Sequence, residues 1–254
     1  MNSVNREVKL SKSSDTTNPK RDSYWNDRDI GEAIPWAEEL VGICVEPFPL
    51  EAGKDRVRAR ALAYLARSAA LLRSMVTLGK ARDREGIPIL YRTLLETWYH
   101  AVYLVEGGQE SLTVLESQAA FEAKKIANAL ELEDPGGTPE RLPTRTLADV
   151  VQRFLGDEFP SRAYDNHFRI ASFHWSHGHL GAISQFITGE DEEGAEVVNA
   201  DREEFKDGET MTLLLAMGVS LVAGLANRTT SKYGGVDQLR LADFINRWWG
   251  LPNL

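Results

Sequence analysis

Residues 87–108 read IPILYRTLLETWYHAVYLVEGG, and this stretch decides the fold class. Its apolar side chains recur in steps of three and four, at Leu90, Leu94, Trp98, Ala101 and Val105. That spacing places them on one face of an α-helix, whereas a half-buried strand would alternate at every second residue. Pro88 suits the first turn of such a helix, and Gly107-Gly108 predicts its end.

The same periodicity recurs in both directions along the chain. Further helices are predicted over 53–82, 110–132, 144–156, 163–177, 211–227 and 236–250. The acidic stretch 189–208 indicates an exposed loop insertion with a short hairpin around AEVV, residues 195–198. The chain is therefore predicted to be an all-α helical bundle of about five long helices with an acidic loop insertion. We expect residues 1–30 to form a flexible tail and 31–254 to form a single domain.

Composition limits the possible function classes. The chain has 29 Lys and Arg against 38 Asp and Glu, a formal net charge of -9, so any RNA-binding surface has to be local. Cys44 is the only cysteine, which excludes an intrachain disulfide and fits a reducing cytoplasm. The longest apolar stretch, 211–227, falls short of the roughly 20 residues of a membrane span, so we interpret it as a buried helix without membrane contact.

Residues 169–179, RIASFHWSHGH, hold three of the five histidines. Four residues separate Arg169 from His174, and a histidine beside a fixed positive charge suits RNA cleavage. His174 would take a proton from a ribose 2′-hydroxyl or return one to the leaving oxygen, while Arg169 would stabilise the charged phosphorane. Their side chains point about 140° apart on an ideal helix, so one chain alone would aim them at different places. His177 lies on the same helical face as His174, either as a supporting residue or as a structural one at a helix boundary.

An all-α bundle with an R-x4-H motif late in a long helix resembles the HEPN superfamily. The resemblance implies a metal-independent ribonuclease that needs no cofactor and acts in toxin, phage-defence or stress systems. It also implies RNA as the substrate and a homodimer whose site forms between the two protomers.

The chain also resembles an uncharacterised family of bacterial helical proteins that carry an R-x3-E pair in an early helix and a Ser-x-His element in a late one. Here the pair is Arg92 and Glu96, and the late element is Ser172 and His174. Together with His100, one turn further on, the pair would hold the late histidine in one tautomer or line a polar pocket. The alternative is an ordinary ion pair on a solvated face.

A basic face on the first long predicted helix offers contacts to a nucleic acid backbone. Arg56, Arg60 and Arg67 are predicted to bind RNA, because guanidinium groups pair well with phosphate oxygens. The alternative interpretation is a solvated face that balances the charge of the acidic loop.

Two rival functions stay open. A non-catalytic interaction module would meet a protein partner through the acidic loop or through the C-terminal helix at Trp248-Trp249. A metal-dependent enzyme would use the histidines of 169–179 with Glu96 and His100. The sequence contains no HExxH or paired ExxH motif, and we therefore predict no metal site.

Overall fold

The computed structural model of the protein describes residues 29–45, 55–83, 86–132, 142–156, 187–190, 196–198 and 208–250. These residues form six α-helices and one antiparallel hairpin. The elements are α1 (Ile30–Cys44), α2 (Arg56–Lys80), α3 (Gly86–Ala129), α4 (Thr144–Leu155), β1 (Ile187–Glu190), β2 (Glu196–Val198), α5 (Gly208–Tyr233) and α6 (Gln238–Trp249). The all-α bundle is confirmed. The hairpin has β2 on the predicted AEVV residues, whereas β1 begins two residues before the predicted acidic insertion.

The central helix of the bundle is α3, because α2, α4 and α5 all pack against it. Leu94 belongs to the predicted apolar stripe, but Leu95 and Val102 on other faces are also at most 1% exposed. A helix enclosed on several sides needs apolar residues around most of its circumference. In the part of α3 before Gly108, only a narrow stripe is therefore left near the surface.

The helix end predicted at Gly107-Gly108 is confirmed, because the helical backbone is interrupted at Gly108. Gly108 has φ 61° and ψ -132°, and the helix resumes beyond it as far as Ala129. That backbone conformation is open to glycine and strained for residues with a Cβ atom. The two predicted helices are thus two helical segments that meet at a kink at Gly108, and we label them together as α3.

The sequence pattern did not reveal α1, which begins where the flexible tail was predicted to end. Asp29 caps the helix, because its Oδ1 accepts a hydrogen bond of 2.7 Å from the Gly31 amide. Leu40, Ile43 and Cys44 are buried in the core. The remainder of the predicted tail, residues 1–28, lies outside the described residues.

The long apolar helix α5 is buried as predicted for 211–227. The stretch Met211–Tyr233 is long enough to cross a bilayer. Its most apolar window has a mean hydropathy of 1.5, but 67% of that window is buried inside the bundle. A core helix of a soluble protein passes the same test of length and composition. Here α1, α2 and α3 form the main contacts with it, and α6 packs against it as well.

Gly218 lies where α5 contacts α2 and α3. A Cβ atom there would lie 3.4 Å from side-chain atoms of Leu72, Met75 and Leu94, which is an ordinary contact distance.

Candidate functional site

The predicted catalytic residues fall in a part of the chain that the structure does not describe. Arg169, Ser172, His174 and His177 all lie within 157–186. The predicted supporting residues on α3 and the predicted RNA-binding arginines on α2 are described, and they are the basis of the site below.

Arg92, Glu96 and His100 occupy successive turns on the polar stripe of α3, and all three are half-buried. On the flank of this stripe Tyr99 is buried, at 1% exposure. This face of α3 is therefore neither fully exposed to solvent nor fully buried. Glu96 makes no salt bridge within the described part of the chain, and what it contributes is its main-chain carbonyl.

The imidazole of His100 is held in one tautomer by its own helix. Its Nδ1 lies 2.8 Å from the carbonyl oxygen of Glu96. A carbonyl only accepts hydrogen bonds, so Nδ1 carries the proton and Nε2 has the free lone pair in the neutral ring. The ring of Tyr64 on α2 stacks on the imidazole, with 6.4 Å between centroids and 17° between planes. His100 thus presents Nε2 as an acceptor in a fixed orientation.

Two arginines of α2 flank Tyr64. Burial raises the pKa of the Tyr64 hydroxyl, while the positive charges of Arg67 and Arg60 act in the opposite direction. Arg67 also reaches across to α3, where its Nε donates a weak hydrogen bond of 3.4 Å to Thr97 Oγ1. These contacts join Arg60, Tyr64, Arg67, Thr97 and His100 into a group on the α2–α3 boundary, which we term the arginine–histidine cluster.

The positive charge of this cluster is not neutralised by the described residues. No salt bridge within that part of the chain involves Arg60 or Arg67, and both side chains are exposed. The third predicted RNA-binding arginine differs, because Arg56 forms an ion pair with Glu116. Two guanidinium groups, a phenol hydroxyl and an imidazole together form a surface that suits an anion with several oxygen atoms, such as a phosphate.

The sequence analysis missed Tyr64 and Thr97. Tyr64 stands four residues after Arg60 and three before Arg67, so helical spacing already places it on the arginine face. Its contact with His100 depends on the register between two helices, which the pattern of a single helix does not contain.

Two further predictions can be compared with the structure. Trp248 is 1% exposed and packs in the core, so the prediction that the Trp248-Trp249 pair meets a partner is wrong for Trp248; Trp249 is 46% exposed. Among the described residues, no group of three His, Cys, Asp or Glu side chains is placed to hold a metal ion. Glu96 and His100 are in that part of the chain, whereas the histidines of 169–179 are not.

One protein-family model matches the chain, a family of unknown function designated DUF5677, over residues 59–159. The matched region runs from α2 through α4 and contains the whole arginine–histidine cluster. Neither the curated proteins nor the solved structures gave a match to the chain.

Proposed function

We propose that the protein binds RNA and cleaves it without a metal ion, as a HEPN-like ribonuclease of a toxin, phage-defence or stress system in the cytoplasm. The observation that carries the proposal is the pair of guanidinium groups, Arg60 and Arg67, that no described carboxylate neutralises in a chain of net charge -9. An acidic protein that keeps unpaired arginines beside a half-buried imidazole has a local surface for a phosphate backbone.

In this proposal the roles are divided between two parts of the chain. Arg60 and Arg67 bind the RNA backbone, and Arg56 contributes less because Glu116 already pairs with it. His174 moves the proton and Arg169 stabilises the negative charge of the phosphorane. The residues Arg92, Glu96 and His100, with Ser172 and His177, support that histidine. A homodimer supplies both halves of the site.

The test is incubation of the purified protein with a labelled single-stranded RNA in the presence of EDTA. We expect cleavage by the wild type and loss of cleavage in His174→Ala with RNA affinity retained. The double variant Arg60→Ala/Arg67→Ala is expected to lose affinity for RNA as well. Cleavage that EDTA abolishes would instead indicate the metal-dependent alternative, and cleavage unchanged in His174→Ala would remove that residue from the mechanism.

A protein-interaction module is the second candidate, and one observation favours it. On α6, Leu239 is 84% exposed and Trp249 is 46% exposed, while Trp248 anchors the helix to the core. Large apolar side chains at such exposure are typical of a contact surface for another protein. If this is the function, Trp249→Ala will abolish binding of the protein partner, and the wild type will neither bind nor cleave RNA.

A further inference from the structure

The far end of α3 carries a concentration of exposed apolar side chains. Ile126, Leu130 and Leu132 are 59%, 63% and 61% exposed. Ala119 and Ala123 are exposed as well, and with Ile126 and Leu130 they follow one another in steps of four, three and four residues. Leu130 directly follows the last residue of α3, and its amide still donates a hydrogen bond of 3.0 Å to the carbonyl oxygen of Ile126. We term the four residues Ala119, Ala123, Ile126 and Leu130 the α3 stripe.

A helix of a soluble protein normally places polar residues on the face that it turns to water. The α3 stripe does the opposite, although Ala127 beside it is buried, at 7% exposure. The stripe is regular, at the spacing of a helix that pairs with another helix.

We infer that a second copy of this chain covers the α3 stripe, and that the two helices pair in an antiparallel orientation. The side chains of the stripe are small at its beginning, at Ala119 and Ala123, and large at its end, at Ile126 and Leu130. Antiparallel pairing about a two-fold axis midway between positions 124 and 125 sets 119 opposite 130 and 123 opposite 126. Each large side chain then fills the space above a small one, as close packing requires.

A parallel pair would not have this complementarity. Ile126 would meet Ile126, and Leu130 would meet Leu130, while the alanines faced one another across a gap. The antiparallel arrangement also makes the interface isologous, so it closes at a dimer.

The charges beside the stripe fit the same arrangement. Glu122 borders the stripe and pairs with Lys125 of its own helix at 3.1 Å. In the antiparallel pair, Glu122 of one copy comes level with the turn that carries Lys125 of the second copy. Lys125 of each copy can then form an ion pair with Glu122 of the other copy, and the two-fold axis produces this ion pair twice.

The first experiment is analytical ultracentrifugation of the full chain over a range of concentrations. We expect a reversible dimer, and we expect Ile126→Glu/Leu130→Glu to raise its dissociation constant by more than about tenfold. Leu239→Glu is the matched control, because it places the same charge at an exposed leucine outside the stripe and should leave the dimer unchanged. A monomer at every concentration, or a dimer that the double variant retains, would overturn the inference.

The second experiment tests the orientation and does not depend on a destabilising change. Cys44 is buried, so cysteines introduced at the surface can be cross-linked selectively. We expect rapid disulfide formation when Ala123→Cys is mixed with Ile126→Cys, and slow formation in either variant alone. Rapid cross-linking of Ala123→Cys with itself would show parallel pairing and contradict the proposal.

Discussion

Glu106 on α3 accepts a hydrogen bond of 2.6 Å from Lys232 Nζ on α5, two residues before the kink at Gly108. Arg228 of the same helix donates a second bond, of 2.9 Å, to the other carboxylate oxygen. Lys232 Nζ also donates a hydrogen bond of 3.0 Å to the carbonyl oxygen of Val105. A main-chain acceptor next to the kink is thus hydrogen-bonded to a side chain of another helix. The change of direction in α3 is therefore fixed by the last turns of α5.

This network makes the stability of the fold depend on pH through Glu106. Burial raises the pKa of Glu106, but the hydrogen bonds from Lys232 and Arg228 and their charges outweigh it and hold the pKa below its ordinary value of 4.5. Because the pKa of Glu106 is lower in the folded state, its ionised form contributes fully to the free energy of unfolding above the unfolded-state pKa. This contribution is lost as the pH falls through the folded-state pKa.

Replacement of Glu106 by glutamine should accordingly destabilise the protein at neutral pH. We expect Glu106→Gln to lower the free energy of unfolding by about 1–3 kcal/mol at pH 7, because charge-assisted hydrogen bonds are lost. The difference from wild type should shrink below pH 4.5, as urea unfolding at several pH values will measure. Glu110→Gln, at an exposed position of the same helix, is the control and should change little. A difference that does not vary with pH would contradict the assignment.

The backbone of Gly108 should be intolerant of a side chain. A Cβ atom would meet no other group within 4 Å there, so any cost of Gly108→Ala comes from the φ of 61° and not from a clash. We expect a loss of about 1–3 kcal/mol in thermal or chemical unfolding.

The matched control for this substitution is Gly42→Ala in α1. That glycine is helical and also has nothing within 4 Å of an added Cβ atom. Since alanine favours a helix, Gly42→Ala should stabilise the protein by up to about 1 kcal/mol. Equal effects of the two substitutions would contradict the strain that we assign to residue 108.

The thiol of Cys44 should be inert while the protein is folded. Burial raises its pKa to about 12. At pH 8 only about one molecule in ten thousand then carries the reactive thiolate. We expect no reaction with a thiol reagent over minutes in buffer and one equivalent in denaturant. Ala66→Cys, at an exposed position of α2 outside the α3 stripe, supplies the positive control, and rapid labelling of the folded wild type would disagree with the burial of Cys44.

The arginines of the cluster should determine the salt dependence of RNA binding. If Arg60 and Arg67 each neutralise one phosphate, Arg60→Ala/Arg67→Ala will lower the slope of log affinity against log salt concentration by about 1.4. Arg73→Ala removes one positive charge from the other side of α2 and is expected to leave the slope almost unchanged. Fluorescence anisotropy with a labelled single-stranded RNA measures both, and equal slopes in all variants would exclude the cluster as the binding surface.

The local pattern of the sequence was sufficient for most of the fold. The stripe from Leu90 to Val105 predicted the central helix, and the glycine pair predicted the place where it changes direction. The first helix was missed because Gly31, Pro35 and Gly42 interrupt its apolar pattern and lower its intrinsic helix propensity. The helix forms because its burial against other helices outweighs that low propensity.

The site was less predictable, since it depends on contacts between distant positions. Arg56, Arg60 and Arg67 look alike in the sequence, yet within the described part of the chain only Arg56 meets a carboxylate, that of Glu116 on a different helix. The pairing of Glu106 with Lys232 joins residues 126 positions apart. Such distinctions arise from helix register, which requires the packed structure.

The burial of α5 has a consequence for how the chain is made. Because α1, α2 and α3 all pack against this late helix, a nascent chain cannot complete its hydrophobic core until residues near Tyr233 have left the ribosome. Until then the earlier helices present their apolar faces to the solvent, which makes the growing polypeptide a natural client of chaperones that act during translation.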